Sequence, residues 1–265
     1  MNKPRPWLYW AVLSVLCLLG VSCCKQQQKD PFRYKVAIIG NPSNPDIRYD
    51  ESQMQALKDL GYNTLQLNIA WGARPADEPL NLEDILYVDG IGSRKKADQR
   101  LQTIKERARI AKKWGFRTLF HFGAPRVDSL YKILTPDLID IATEKNSIQK
   151  KEIVDKYVSL LKRLKQEVPE LDDIEVYTFD QDAWVANEFG NGPTDRDIPL
   201  HERIPAFLQA LTGAWAEVSP DGMVWWEPWE ISAGQIYACI PSLPTRNFGM
   251  FLHSNIAEVQ LSRPV

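Results

Sequence analysis

Short apolar runs alternate with longer segments of helical pattern along most of the chain. The short runs predict buried β-strands and the longer segments predict α-helices. The predicted strands are 36–40, 64–69, 118–122, 174–179, 224–226 and 249–253. The predicted helices are 52–60, 97–114, 147–167 and 204–218. Because strands and helices alternate, we expect an α/β fold with a parallel sheet covered by helices.

The same junction between a helix and a strand occurs twice. Gly61 and Gly115 each follow a predicted helix, and a strand begins three residues later. Glycine is the usual stop after a helix because it adopts the left-handed conformation at little cost. The unit recurs about every 30 to 50 residues, which favours a TIM-type (β/α) barrel. The first strand is followed by Gly40-Asn41-Pro42 and not by a glycine-rich phosphate loop, which disfavours a dinucleotide-binding fold.

The number of predicted strands is smaller than a complete barrel requires. A complete barrel has about eight strands, and only those six are predicted before Val265. Residues 258–265 carry no helix stop signal and have the pattern of the start of a helix. We therefore expect residues 34–265 to form an incomplete barrel that is shortened at its C-terminal end.

The N-terminus has the pattern of an export signal. Lys3 and Arg5 precede the apolar residues 7–21, and a small-residue site and polar residues follow. The cysteine at this site resembles the lipobox of bacterial lipoproteins. The resemblance implies a signal peptide over 1–23, a lipid on Cys23 or on Cys24, and a polar tether over 24–33. An uncleaved membrane anchor is the alternative, because the apolar run approaches the spanning minimum of about 18 residues.

Composition narrows the classes of function. The net charge of −2 argues against a nucleic-acid partner, which normally meets a basic surface. Cys239 is the single cysteine after the predicted tether, so stability must come from core burial and not from an internal disulfide. We expect a lipid-anchored domain in the bacterial cell envelope, periplasmic or surface-facing, with the outer membrane favoured. We expect no bound cofactor.

Polar and aromatic residues concentrate where the predicted strands end. In barrel enzymes the working residues lie at the carboxyl ends of the strands and in the loops that follow. Indole rings suit the apolar faces of sugars, whereas carboxylates and amides suit their hydroxyl groups. The sequence therefore predicts a sugar site. The predicted substrate-binding residues are Asn68, Trp71, His121, Trp226, Trp229, His253 and Asn255.

Two aspartates, Asp180 and Asp182, follow the fourth predicted strand and lie between aromatic residues. Glycoside hydrolysis uses a pair of carboxyl groups, one of them protonated. An aromatic, poorly solvated site with neighbouring negative charges would raise the pKa of one carboxyl group and supply the protonated partner. The alternative is that one aspartate caps the next loop or helix.

A second group of carboxylates and indoles occupies residues 225–230, with the sequence Trp-Trp-Glu-Pro-Trp-Glu. Pro228 cannot donate to a strand ladder, so it marks the strand end and places Glu227 at the rim. Glu230 follows three residues later. We expect Trp225 or Trp226 to belong to the core, because adjacent strand residues face opposite ways. Glu227 and Glu230 are thus further candidate catalytic carboxylates.

At these strand ends the chain resembles the catalytic barrels of bacterial glycoside hydrolases, especially lipoprotein enzymes of glycan-degrading bacteria. The residues that carry the resemblance are the lipobox, 68–72, 179–182 and 226–230. The resemblance implies a glycan substrate and a general acid after the fourth strand, at Asp180 or Asp182. The partner carboxylate would then be Glu227 or Glu230.

Two other classes of function remain open on the sequence alone. One is a non-catalytic glycan-binding lipoprotein or an inactive, truncated barrel. The other is a metal-dependent hydrolase or sugar isomerase that uses His121 and His253, with Asp180 and Glu227. The sequence contains no His-x-His or His-Glu-x-x-His spacing, so no metal site is predicted.

Overall fold

The computed structural model describes residues 32–40, 47–69, 75, 77–126, 146–177, 198–228 and 231–252. Contacts divide the chain into two units, 1–34 and 35–265. No helix in these described ranges is long and apolar enough to cross a membrane. The predicted signal peptide, with Cys23 and Cys24, lies outside the described residues, so lipidation remains a prediction.

Six parallel strands form one sheet, and their spatial order is their order along the chain. The strands are β1 (Val36–Ile38), β2 (Thr64–Gln66), β3 (Arg117–Gly123), β4 (Asp173–Tyr177), β5 (Val224–Glu227) and β6 (Phe248–Met250). Each strand adds to the same edge of the sheet, as in a (β/α) barrel, whereas a doubly wound sheet reverses its order near the middle. The predicted (β/α)-barrel class is confirmed, with six strands in the residues that the structure describes.

The predicted helices are present, with ends that shift by a few residues. The helices are α1 (Glu51–Asp59), α2 (Arg94–Lys113), α3 (Lys151–Glu167), α4 (Leu200–Val218) and α5 (Ala233–Cys239). Gly61 and Gly115 have φ of +81° and +69°, so both helix stops use the left-handed conformation that the sequence predicted.

Helix α5 was not among the predicted helices. Its last residue is Cys239, whose side chain is buried. Ser232 caps the first turn: its hydroxyl accepts from the N–H of Gln235, and the Gln235 side chain accepts from the N–H of Ser232.

The two faces of the sheet differ in chemistry. Side chains alternate between the faces along each strand. One face is apolar and packs on the helices; we call it the outer face. Its strand residues in the core are Ala37, Leu65, Leu67, Phe120, Phe122, Ile174, Val176, Val224 and Trp226. The opposite, inner face carries most of the polar side chains of the sheet.

Salt bridges at the amino ends of the strands fix their alignment. Arg117 of β3 donates two hydrogen bonds, of 2.7 and 2.6 Å, to the buried carboxylate of Asp173 on β4. The same carboxylate accepts the backbone N–H of Met223, which precedes β5, at 2.8 Å. One side chain therefore joins three neighbouring strands and sets the register of the residues that follow.

Candidate active site

The inner face brings three ionisable residues from adjacent strands together. His121 of β3 lies opposite Glu175 of β4 in the sheet register, and Tyr177 of β4 lies opposite Glu227 of β5. Because the residues two apart on a strand share a face, all four side chains belong to the inner face. Glu227 is the last residue of β5, at the carboxyl end of the sheet, where barrel enzymes place their working groups.

The three charged side chains form a compact cluster. His121 Nε2 lies 2.7 Å from Glu227 Oε2, a distance at which a protonated imidazole and a carboxylate form an ion pair. One nitrogen or oxygen from each of His121, Glu175 and Glu227 lies within 4.8 Å of the others. The three residues are 1%, 4% and 3% exposed. Charges this deeply buried persist only where they compensate one another.

The pKa of His121 reflects this cluster. Burial by itself would lower the pKa of the imidazole below its ordinary value. The carboxylates of Glu175 and Glu227 outweigh burial, and the net result is a pKa raised above 6.5. The arrangement therefore favours an imidazolium held between two carboxylates.

Asn68 holds the backbone of His121 in place. Its Nδ2 donates to the carbonyl oxygens of His121 and Pro79, at 2.8 and 3.0 Å, and its Oδ1 accepts the His121 N–H at 3.0 Å. Asn68 is buried, and both of its side-chain N–H groups are used within the protein. This placement differs from the sugar contact expected from the sequence: Asn68 acts here by positioning His121.

Two further residues fix the imidazole ring. Gln66 Nε2 donates to the Asn68 carbonyl at 2.8 Å and lies 3.4 Å from His121 Nδ1. The ring of Tyr177 meets the imidazole edge-on, with centroids 5.5 Å apart. His121 therefore presents Nε2 to Glu227 from a ring that is held on two sides.

The carboxyl end of β2 is held by a salt bridge to the helix layer. Glu78 Oε2 accepts the backbone N–H of Ile69 at 3.0 Å, and Arg107 of α2 donates to both oxygens of the same carboxylate. Arg107 also donates to the carbonyl of Leu67 at 2.7 Å. These bonds fix the chain at Leu67 and Ile69, a few residues before the predicted sugar-binding Trp71 in the sequence.

The two adjacent indoles of β5 take opposite sides. Trp226 is fully buried in the outer-face core, so it does not line the inner face as the sequence prediction of a sugar contact required. Trp225 is partly exposed and lies against Gly249, where an added Cβ would come 2.3 Å from the indole ring. Phe251 meets the Trp225 ring edge-on at 5.0 Å. The inner-face indole of this strand is thus Trp225.

Sequence reasoning missed Glu175. The predicted site residues lie at or after strand ends, whereas Glu175 lies in the middle of β4. The signal that could have identified it is the alternation Asp173, Glu175, Tyr177 on one side of the strand with Ile174 and Val176 on the other. A charged side chain that is buried on one face of a strand needs a compensating group nearby. For Glu175 that group is His121.

Several predicted site residues lie outside the described residues, and their roles stay predictions. They are Trp71, Asp180, Asp182, Trp229, Glu230, His253 and Asn255.

An imidazole and two carboxylates are also a donor set that divalent cations bind. A tetrahedral ion would hold two such donors about 3.3 Å apart. The distance of 2.7 Å between His121 Nε2 and Glu227 Oε2 is that of a direct contact between an imidazolium and a carboxylate. As it stands, the cluster is an ion pair, and His121 would have to separate from Glu227 to admit a cation.

Comparison with known proteins gives a fold and no family. No protein-family model matches the chain, and no curated protein matches it. A mutant of the O-GlcNAc hydrolase of Thermobaculum terrenum superimposes with a TM-score of 0.53 at 14% identity, covering 83% of this chain and 41% of that one. Endo-glycoceramidase II of Rhodococcus sp. gives a TM-score of 0.46 at 14% identity, covering 85% and 59%.

The chain thus spans about two fifths to three fifths of the length of these two structures. At such low identity the likeness concerns the fold alone. The fold of this chain is a TIM-type (β/α) barrel, with six strands in the residues that the structure describes.

Proposed function

We propose that this chain is a glycoside hydrolase domain in which Glu227 is a catalytic carboxylate. The observation that carries the proposal is the position of Glu227: it ends β5 on the inner face and pairs with His121 at 2.7 Å. A carboxylate next to an imidazolium stays ionised, which both the nucleophile of a retaining enzyme and the base of an inverting one require.

The general acid of this proposal is Asp182 or Asp180. Both follow Tyr177 within a few residues, and Tyr177 lies opposite Glu227 in the sheet. Such an acid would give its proton to the leaving oxygen of the glycosidic bond while Glu227 acts at the anomeric carbon. Glu230 is the alternative to Glu227 as the second carboxylate.

The substrate of this proposal is an oligosaccharide or larger glycan. Trp225 supplies an inner-face indole that is partly exposed, which suits the apolar face of a sugar ring. Trp71, Trp229, His253 and Asn255 would complete the sugar site.

The test of activity is mass spectrometry of a mixed oligosaccharide pool incubated with the protein. We expect new, shorter products from the wild type and from Glu217→Gln, a control that removes a carboxylate from the surface of α4. Glu227→Gln should lower turnover by roughly a thousandfold or more, because it removes a group that acts in the transition state. Near-normal turnover by this variant would remove Glu227 from the mechanism.

An unchanged pool with the wild type would favour the glycan-binding lipoprotein. That alternative predicts retention of glycans on immobilised protein, with equal retention by the wild type and by Glu227→Gln. Loss of retention in Trp225→Ala would then locate the binding surface on the inner face.

We also propose that the domain is anchored in the bacterial cell envelope through a lipid on Cys23, with Cys24 as the alternative. Growth with an alkyne-tagged fatty acid should label the wild type, and labelling should disappear in Cys23→Ala. Labelling that persists in Cys23→Ala but disappears in Cys24→Ala would move the site by one residue. Absence of labelling in the wild type would favour an uncleaved membrane anchor.

A further inference from the structure

Glu175 is a buried carboxylate of the inner face that the proposed mechanism does not use. It lies in the middle of β4, opposite His121 and one step deeper in the sheet than Glu227. Its side chain is almost fully buried. A buried carboxylate lowers the stability of the fold unless nearby groups compensate its charge. The presence of Glu175 on the inner face therefore indicates a function other than packing.

The surroundings of His121 define that role. From β2 the imidazole faces the neutral amide of Gln66, and from β4 it faces Glu175 and the ring of Tyr177. From β5 it faces Glu227. The charged groups that face the imidazole from the described strands are therefore two carboxylates, on neighbouring strands.

A proton in this cluster belongs on the imidazole. The ordinary pKa of histidine, 6.5, is higher than that of glutamic acid, 4.5. With the proton on His121 the cluster carries one net negative charge, and without it two carboxylates share a poorly solvated site and repel each other.

Glycosidase chemistry removes the charge of Glu227 for part of the cycle. As a nucleophile, Glu227 would become a glycosyl ester, and as a base it would take a proton from water. Either event takes away the nearer counterion of His121. Glu175 lies on a different strand, one step below the reacting level, and keeps its negative charge throughout.

We propose that Glu175 is a positioning residue, the permanent counterion that keeps His121 protonated while Glu227 gains and loses its charge. The role of Glu175 in the catalytic cycle rests on the proposed function. The arrangement of an imidazolium between two carboxylates, which we call the charge arrangement, rests on the geometry alone. The imidazolium then stays ready to stabilise Glu227 when the carboxylate is released again.

The charge arrangement can be tested by an NMR titration of His121. The full chain has three histidines, so His201→Gln with His253→Gln leaves one imidazole to observe. The full chain is held in detergent because residues 7–21 are apolar. In this background we expect His121 to titrate above 6.5, and Glu175→Gln should lower its pKa by about 1 to 3 units.

Two matched variants control this experiment. Glu83→Gln also removes a buried carboxylate, but one that contacts Tyr157 and Lys156, so the His121 titration should not move. Glu175→Asp keeps the charge and should restore most of the shift. The background protein needs no substitution of Glu175, so a His121 pKa at or below 6.5 there would overturn the inference even if Glu175→Gln fails to fold.

Three results would overturn the inference. The first is a His121 pKa at or below 6.5 in the background protein, and the second is an identical titration in Glu175→Gln. The third is one divalent cation per chain by elemental analysis, together with an imidazole that titrates only after chelation, which would make the cluster a metal site.

The role of Glu175 in the catalytic cycle is tested separately, by the pH dependence of kcat. Loss of Glu175 should shift the alkaline limb of the pH–kcat profile to lower pH, because His121 then loses its proton at lower pH. KM should stay nearly unchanged, because Glu175 does not touch substrate in this proposal. If Glu227→Gln keeps full turnover while the His121 shift holds, the proposed function fails and the charge arrangement stands. If Glu227→Gln is inactive and His121 does not shift, only the inference fails.

Discussion

The two faces of the sheet are both buried, yet they are built on opposite principles. On the outer face Trp226 and Val176 pack among apolar helix residues, and their burial stabilises the fold by roughly 25 cal/mol per Å². On the inner face His121, Glu175 and Glu227 are as deeply buried but carry charge. Burial of these groups stabilises nothing by itself, so the inner face gives up stability to hold a cluster of charged side chains.

The largest expected difference between the faces is in the effect of removing an indole. Trp226→Ala should lower the free energy of unfolding by about 3–5 kcal/mol, because it leaves a cavity in the core. Trp225→Ala, its neighbour on the inner face, should cost clearly less. Chemical denaturation of both variants measures the contrast. A stable Trp226→Ala protein with weakened glycan binding would return Trp226 to the sugar site.

The next largest effect concerns Asn68, whose side chain holds the backbone of His121 on the inner face. Asn68→Ala leaves the buried N–H and carbonyl of His121 without their side-chain partner, which should cost about 1–3 kcal/mol of unfolding free energy. Chemical denaturation again gives the measurement. An unchanged stability combined with a raised KM for glycan would instead support the sugar contact expected from the sequence.

The charge of His121 should make the stability of the inner face depend on pH. Its pKa in the folded protein is raised above the ordinary 6.5, so its stabilising contribution is complete below about pH 6.5 and disappears as pH rises through the folded-state pKa. The measurement is the unfolding free energy of the wild type minus that of His121→Gln, followed from about pH 6 to pH 9. A difference that grows with pH would mean that the sign is wrong.

The smallest expected change in unfolding free energy is that of a salt bridge between two surface helices, outside both faces of the sheet. Glu217 of α4 lies 2.5 Å from Lys162 of α3, with both side chains well exposed. Glu217→Gln should change the free energy of unfolding by less than about 0.5 kcal/mol, because water and salt screen the pair. A larger loss in denaturation would show that this helix contact carries more of the stability than its exposure indicates.

Local patterns predicted most of the elements of this fold. Strands such as β4 and helices such as α3 follow from runs whose period is visible in a few residues, and the stops at Gly61 and Gly115 follow from backbone conformation. Helix α5 escaped prediction because its seven residues carry little apolar pattern. Its start depends on the side chain of Ser232, a signal that is easily overlooked in a loop.

The candidate site was predicted only in part. The end of β5 drew attention to Glu227, and the alternation rule required one of Trp225 and Trp226 to be in the core. Which of the two it is depends on the side of the sheet that the helices cover. Glu175 gave no signal at a strand end because it lies in the middle of β4, and the sequence does not show that His121 stands opposite it.

By itself, the sequence determined the alternating elements, the class of fold and the acidic and aromatic character of the strand ends. These properties follow from backbone periods and from side-chain chemistry within a few residues. The tertiary structure alone decided which residues stand opposite one another. Register depends on packing between segments that are far apart in the chain. Asn68 and His121, for example, are hydrogen-bonded although they lie 53 residues apart. That register turns two separate glutamates and one histidine into a single cluster of charge.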